Sequence, residues 1–201
     1  MDADFSIELG RNDPMLDFPW SDVSGKFTYI DLKRRPDLMA RVEEAEKFSE
    51  LGKFLGALNT ARSIVETAKC DVWATTELCA EEEIYGARHK FASYVDVVFR
   101  NIDARLSSLG LLPLRQSFPA HERFARKLVE LLRRAPEIRS SAEVCVRRCF
   151  FEEDGSVQEG FYCTLYVHGY GNDEASARRG WGNGLKLMEN AIAQLAAGGM
   201  E

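Results

Sequence analysis

Residues 160–171, GFYCTLYVHGYG, sort their side chains by parity. Phe161, Cys163, Leu165 and Val167 fall on one side of an extended chain, and Tyr162, Thr164, Tyr166, His168 and Tyr170 on the other. A two-residue period of this length predicts a strand half-buried in a sheet. The preceding run AEVCVRRCFF, residues 142–151, alternates in the same way. With Asp154 and Gly155 in the turn, Val146 pairs with Cys163 and Val144 with Leu165, so the apolar residues of both strands share a face.

A second hairpin is predicted to join KCDVWATTEL, residues 69–78, to HKFASYVDVVFR, residues 89–100. Ile84, Phe91, Val95, Val98 and Ile102 also fit a helical stripe, but the β-rich run YVDVVF and Gly86 favour strands. At the other end, FSIEL and KFTYIDL read as short strands separated by the Pro-, Gly- and Asp-rich connection GRNDPMLDFPWSDVSG. Leu38, Val42, Ala45, Phe48, Leu51, Leu55 and Leu58 recur at helical spacing after Pro36. AHERFARKLVELLRRAP and WGNGLKLMENAIAQLAAGG supply two more helices, the last ending at Gly198 and Gly199.

The order is strand, strand, helix, three times over. It predicts an α+β fold in which an antiparallel sheet of about six strands carries about three helices on one face. At 201 residues, with no linker-like tract, the chain reads as a single domain over 1–201.

Charge then narrows the function. A net charge of −6 opposes general affinity for nucleic acid, which needs clustered Lys and Arg. The acidic opening MDADFSIELG is unlike a secretory leader, and no run approaches the ~18 apolar residues of a membrane span. A cytoplasmic protein with neither nucleic acid nor membrane as partner is expected. Five cysteines, an odd number in such a setting, predict buried thiols and no bridges.

If helices cover the apolar face of the later hairpin, its other face carries Tyr162, Tyr166, His168, Arg147, Cys145 and Cys149. By the same parity the earlier hairpin adds Asp71, Trp73, Thr75, Glu77, Lys90, Tyr94 and Asp96. Tyr, Trp and Arg are the residues of binding surfaces and interface centres. Three readings follow: a minor core covered by the N-terminal segment or a loop, a self-association surface, or a surface for a ligand or protein partner. In the last, Trp73, Tyr94, Tyr162 and Tyr166 would stack on the ligand, Arg147 would recognise an anion, and His168 would hydrogen-bond.

Arg179, Gly180, Gly182 and Gly184, with Leu185 and a helix following, resemble the R-G-x-G-x-G loop of the acetyl-coenzyme A N-acetyltransferase family. The resemblance implies that these four residues contact the cofactor pyrophosphate through backbone amides, as glycine-rich loops before helices do. Asn183 stands where that family has an apolar residue, and the chain ends soon after the helix.

Metal motifs fall short. HERFA at His121 lacks the second histidine of a zinc-protease helix, and no C-x-x-C occurs. No G-x-S-x-G elbow is present either, which leaves Cys145 or Cys149 with His168 as the sole candidate nucleophile pair. The leading expectation is a binding domain with no catalytic residues, metal or cofactor, using the aromatic face. The alternative is an acyl-coenzyme A-dependent enzyme built on residues 179–184.

Overall fold

The computed structural model describes residues 1–79, 82–100, 114–153 and 155–198; Asp154 and Gly199 of the expected turn and helix end lie outside them. Six strands form one sheet: β1 (Asp2–Glu8), β2 (Met15–Phe18), β3 (Val65–Thr75), β4 (His89–Phe99), β5 (Ser140–Glu153) and β6 (Ser156–Gly171). Across the sheet the order is β1, β5, β6, β4, β3, with β2 also on β5. Both expected hairpins form. Val146 faces Cys163 and Val144 faces Leu165 in the antiparallel β5–β6 ladder, and β3 pairs antiparallel with β4.

The sheet is mixed where an antiparallel one was expected. β1 runs parallel to β5 over Ser141–Arg147, and β2 runs parallel over Arg148–Phe151, so the two form one interrupted edge row. β2 lies inside the stretch taken for a connection. KFTYIDL, by contrast, forms no strand beyond a single bridge between Ser21 and Thr28. The chain here runs beside the outer edge of β3 and meets it through side chains in place of a ladder: Trp20 reaches Ala68 O and Lys33 reaches Val65 O.

Among the described residues the α-helices are α1 (Glu43–Lys47), α2 (Ser49–Leu58), α3 (Phe118–Arg133) and α4 (Glu174–Gly198), with a 3-10 turn at Pro36–Arg41. They exceed the three expected because the stripe over 36–58 breaks at Val42 and Phe48, both extended. Leu51, Phe54, Leu55 and Leu58 of α2, Phe124, Leu128 and Leu132 of α3, and Trp181, Leu185, Met188 and Ile192 of α4 form one core with Val144, Val146, Cys163, Leu165 and Val167. The helices thus cover a single face, as parity required. Ser117 caps α3 by accepting from the Ala120 amide, with Pro119 in its first turn. None of the described helices is long and apolar enough to cross a membrane.

α4 begins seven residues before the expected Trp181 start and carries Arg179, Gly180, Gly182 and Gly184 inside it. That corrects the loop reading: amides within a helix bond the carbonyls one turn back and do not face a phosphate. The glycine at 184 serves packing, since a Cβ there would meet Ser140 Oγ and approach Val167 Cγ1 to 2.8 Å.

Side chains occupy outward backbone groups on both β1 and β3. On β1, Arg133 Nε donates to Ala3 O at 2.8 Å and Asp4 accepts from the Phe5 amide at 2.8 Å. On β3, Trp20 Nε1 donates to Ala68 O at 2.6 Å, Lys33 Nζ to Val65 O at 2.8 Å, and Asp71 accepts from the Val72 amide at 2.7 Å. Edge groups occupied in this way are poor templates for a further strand. Asn59 ties α2 to the irregularity in β3, donating to Thr67 Oγ1 at 2.7 Å and accepting from the Thr67 amide at 3.2 Å.

Candidate functional site

On the face away from the helices, ladder register sets the side chains in rows across the strands. One row reads Asp4, Glu143, Tyr166, Tyr94, Asp71, from β1 through β5, β6 and β4 to β3. The next reads Asp2, Ser141, His168, Ala92, Trp73, and on the opposite side lies Ser6, Cys145, Thr164, Asp96, Lys69. Parity in the sequence therefore placed Trp73, Tyr94, Arg147, Tyr162, Tyr166 and His168 on one face.

The chain itself covers both ends of that face. At one end β2 and the segment after it lay Leu16 and Phe18 on Val98, Cys149, Phe151 and Tyr162, with Trp20 and Tyr29 alongside. The Arg115 guanidinium closes this second core, 4.9 Å from the Phe151 ring centroid and ion-paired to buried Glu66. Tyr162, 3% exposed, is part of it and is not available for stacking. At the other end the 3-10 turn Glu82–Tyr85 folds over Tyr170, whose ring stacks on Tyr85 at 4.2 Å. Glu82 accepts from Lys90 Nζ at 2.7 Å and from Tyr170 OH at 2.9 Å. Burial raises the Glu82 carboxyl, but these bonds outweigh it and hold the group at about 2.

Between the covered ends a strip of rings stays accessible. Trp73, 36% exposed, lies 6.5 Å from Tyr94; Tyr94 lies 6.1 Å from Tyr166, and Tyr166 lies 6.3 Å from His168. His168 Nδ1 is 3.3 Å from Ser141 Oγ, and burial, aided by Lys90, lowers the imidazole to about 4, so it is neutral near pH 7. Burial and then the negative charges of Asp96 and Asp71 push the Tyr94 phenol up.

Arg147 does not fill the expected anion-binding role. Its Nε and Nη2 each lie 2.8 Å from Glu8 Oε2, and its Nη1 donates to Thr164 Oγ1 at 2.9 Å and to Tyr166 OH at 3.2 Å. Thr164 passes the chain on, donating to Asp96 Oδ1 at 2.7 Å. Burial disfavours the Arg147 charge, but the Glu8 bond prevails and its guanidinium stays ionised, neutralised from within. Burial pushes the Asp96 carboxyl up to about 6, against that Thr164 bond.

Neither face cysteine is poised to attack. Burial pushes the Cys145 thiol up to about 12 and raises Cys149, which sits in the second core, and a protonated thiol is a weak nucleophile. None of the five cysteines forms a disulfide. Among the described residues, Glu8, Glu143 and Cys145 converge with ligand atoms within 4.8 Å. Three donors are one short of a closed tetrahedral site, and Glu8 is already held by Arg147.

Two clefts lie beside the strip. One, of about 530 Å³, runs along β3 between residues 20–32 and α1, with Tyr94 and Asp71 on its rim and walls of mixed charge. The other, of about 630 Å³, separates α2 from α4 on the helix side and takes in Arg179 and Gly182. Sequence reasoning missed Asp4 and Ser6 as members of the face because the parallel pairing of β1 was not foreseen, and it passed over Glu143 although that residue shares parity with Cys145 and Arg147 on the foreseen β5. No family model matches this chain, and neither does any curated protein or solved structure.

Proposed function

We propose that this chain is a binding domain without catalytic machinery of its own, and that the open ring strip is its docking surface. One observation carries the reading: the chain covers both ends of the face with its own segments yet leaves Trp73 exposed and Tyr94, Tyr166 and His168 partly exposed between them. Rings held in a sheet lose little freedom on binding and offer apolar area with polar tips, as interface centres do. The protonated thiols and neutral, half-buried His168 support a recognition role over a chemical one.

Self-association through this strip is disfavoured by charge. Two copies face to face would set Asp71 and Glu143 of each against like charges, which suppresses pairing.

Trp73→Ala and Tyr166→Ala test the reading. Both should keep the fold within about 1 kcal/mol, while Tyr162→Ala, in the second core, should cost about 3–5 kcal/mol. A panel of short peptides of varied charge, read by the indole nitrogen signals, should shift Trp73 in the parent and lose its effect in Tyr166→Ala. If both strip variants unfold the domain, the strip is core and the proposal fails.

A further inference from the structure

The row through the strip has a carboxylate at each end of its tyrosine pair: Glu143, Tyr166, Tyr94, Asp71. No ion pair among the described residues includes Glu143, Asp71 or Asp96. Glu143 accepts from the Ser6 hydroxyl and the Cys145 thiol, Asp71 from the Val72 amide, and Asp96 from the Thr164 hydroxyl. Arg147 is ion-paired with Glu8 and Lys90 with Glu82, while Lys69 lies over the Trp20 ring at 5.3 Å and keeps its charge beside Asp96. The strip is therefore a ring platform with a carboxylate outside any ion pair at each margin, on a chain of net charge −6.

We propose that this strip receives an extended segment of a basic protein partner, laid across the strands, with one Lys or Arg at Glu143 and another at Asp71. The proposal rests on the docking-surface reading above and adds the partner's chemistry. Glu143 and Asp71 are three strand spacings apart, about 14 Å. An extended chain rises about 3.3 Å per residue and points alternate side chains the same way, so basic residues four apart reach both carboxylates. The residue midway between them then lies on Tyr94 and Tyr166, where a third Arg would gain from the ring faces. Only the Tyr94 and Asp71 end of the row borders the cleft along β3, and a molecule held there would not reach Glu143, whereas an extended protein segment spans all four strands. Opposite charge would also speed encounter and make it salt-sensitive.

The test uses fluorescein-labelled peptides of about nine residues on a Ser/Gly background, followed by anisotropy, with the Trp73 indole signal as the site reporter. The peptide with two Arg four apart should bind, and should weaken about tenfold between roughly 50 and 300 mM salt. Asp71→Asn with Glu143→Gln keeps both acceptors and removes both charges, and should weaken it about tenfold with unchanged Tm. Equal binding by a peptide with two Glu, or indifference to the double variant, overturns the proposal. If spermine moves the Trp73 signal while no peptide binds, the protein assignment is overturned. If neutral or acidic peptides move that signal and the Arg peptide does not, the basic partner fails and the docking surface stands. If nothing moves it, both fail.

Discussion

Gly169 of β6 lies against Trp181 of α4 so closely that a Cβ on the glycine would collide with the Trp181 backbone nitrogen and the Ala177 carbonyl. The contact seats the fully buried Trp181 ring against Phe91 at 4.9 Å and lets its Nε1 donate to Ser93 Oγ at 2.8 Å. Gly169→Ala should therefore destabilise the fold by about 2 kcal/mol or more, since backbone on both sides must shift. A Cβ on Gly182 would come 3.2 Å from Glu50 Cγ, a side chain that can give by a few tenths of an ångström, so Gly182→Ala in a helix interior should be neutral or stabilising by up to about 1 kcal/mol. Urea unfolding of the two variants separates these outcomes.

The helical placement of Arg179 to Gly184 makes a second expectation. Millimolar acetyl-coenzyme A should leave Tm unchanged, whereas a ligand at a hundred times its Kd would add about 2.7 kcal/mol. A clear upward shift would restore the transferase reading.

Asp96 is buried with one hydroxyl bond and has its carboxyl raised to about 6. A raised folded value means the favourable contribution is complete below the ordinary value near 4 and is lost as pH climbs through 6. Asp96→Asn keeps an acceptor for Thr164, so it should be more stable than the parent by about 2 kcal/mol at pH 7 and equal to it at pH 4. Denaturant midpoints at the two pH values check this; a less stable variant at pH 7 contradicts it.

His121 behaves in the opposite sense. Burial against Phe99 and Phe161 lowers its imidazole to about 4, with Nδ1 2.9 Å from Ser117 O. A depressed value gives stability that is present above about 6.5 and lost as pH falls through 4. His121→Phe should flatten the fall between pH 7 and pH 4 by about 2–3 kcal/mol, and His168 should leave a residual slope of the same sign. Parallel slopes for variant and parent would show that His121 is not the acid-sensitive group.

Trp20 and Lys33 close carbonyls on the β3 rim. Trp20→Phe with Lys33→Met keeps bulk and removes both donors. The pair should associate with rising concentration more than the parent does, as sedimentation velocity would record. Unchanged sedimentation would mean the rim is closed by other means.

The parts legible in the sequence are those whose structure is decided locally. The β5–β6 register followed from parity, because slipping one residue would have turned Val144, Val146, Cys163 and Leu165 out of the core. Beyond that range, tertiary contacts decided. Met15–Phe18 is too short to announce itself and is a strand only because β5 offers it an edge. Gly180, Gly182 and Gly184 read as a loop on propensity, yet close approach explains two of them, since a Cβ would come within 2.7 Å of the Arg139 carbonyl at Gly180 and meet Ser140 Oγ at Gly184. Tyr162 and Tyr166 share parity and composition; which of them is hidden depends on Leu16 and Phe18, more than 140 residues upstream.

The plugged rims of β1 and β3 give the molecule a sidedness. These side chains oppose a visiting chain that would lengthen the ladder there, and the helices occupy the other flat, which favours recognition broadside onto the tyrosine row. A complex formed on that row would be held by side chains, and its selectivity would be tunable without touching a single ladder bond.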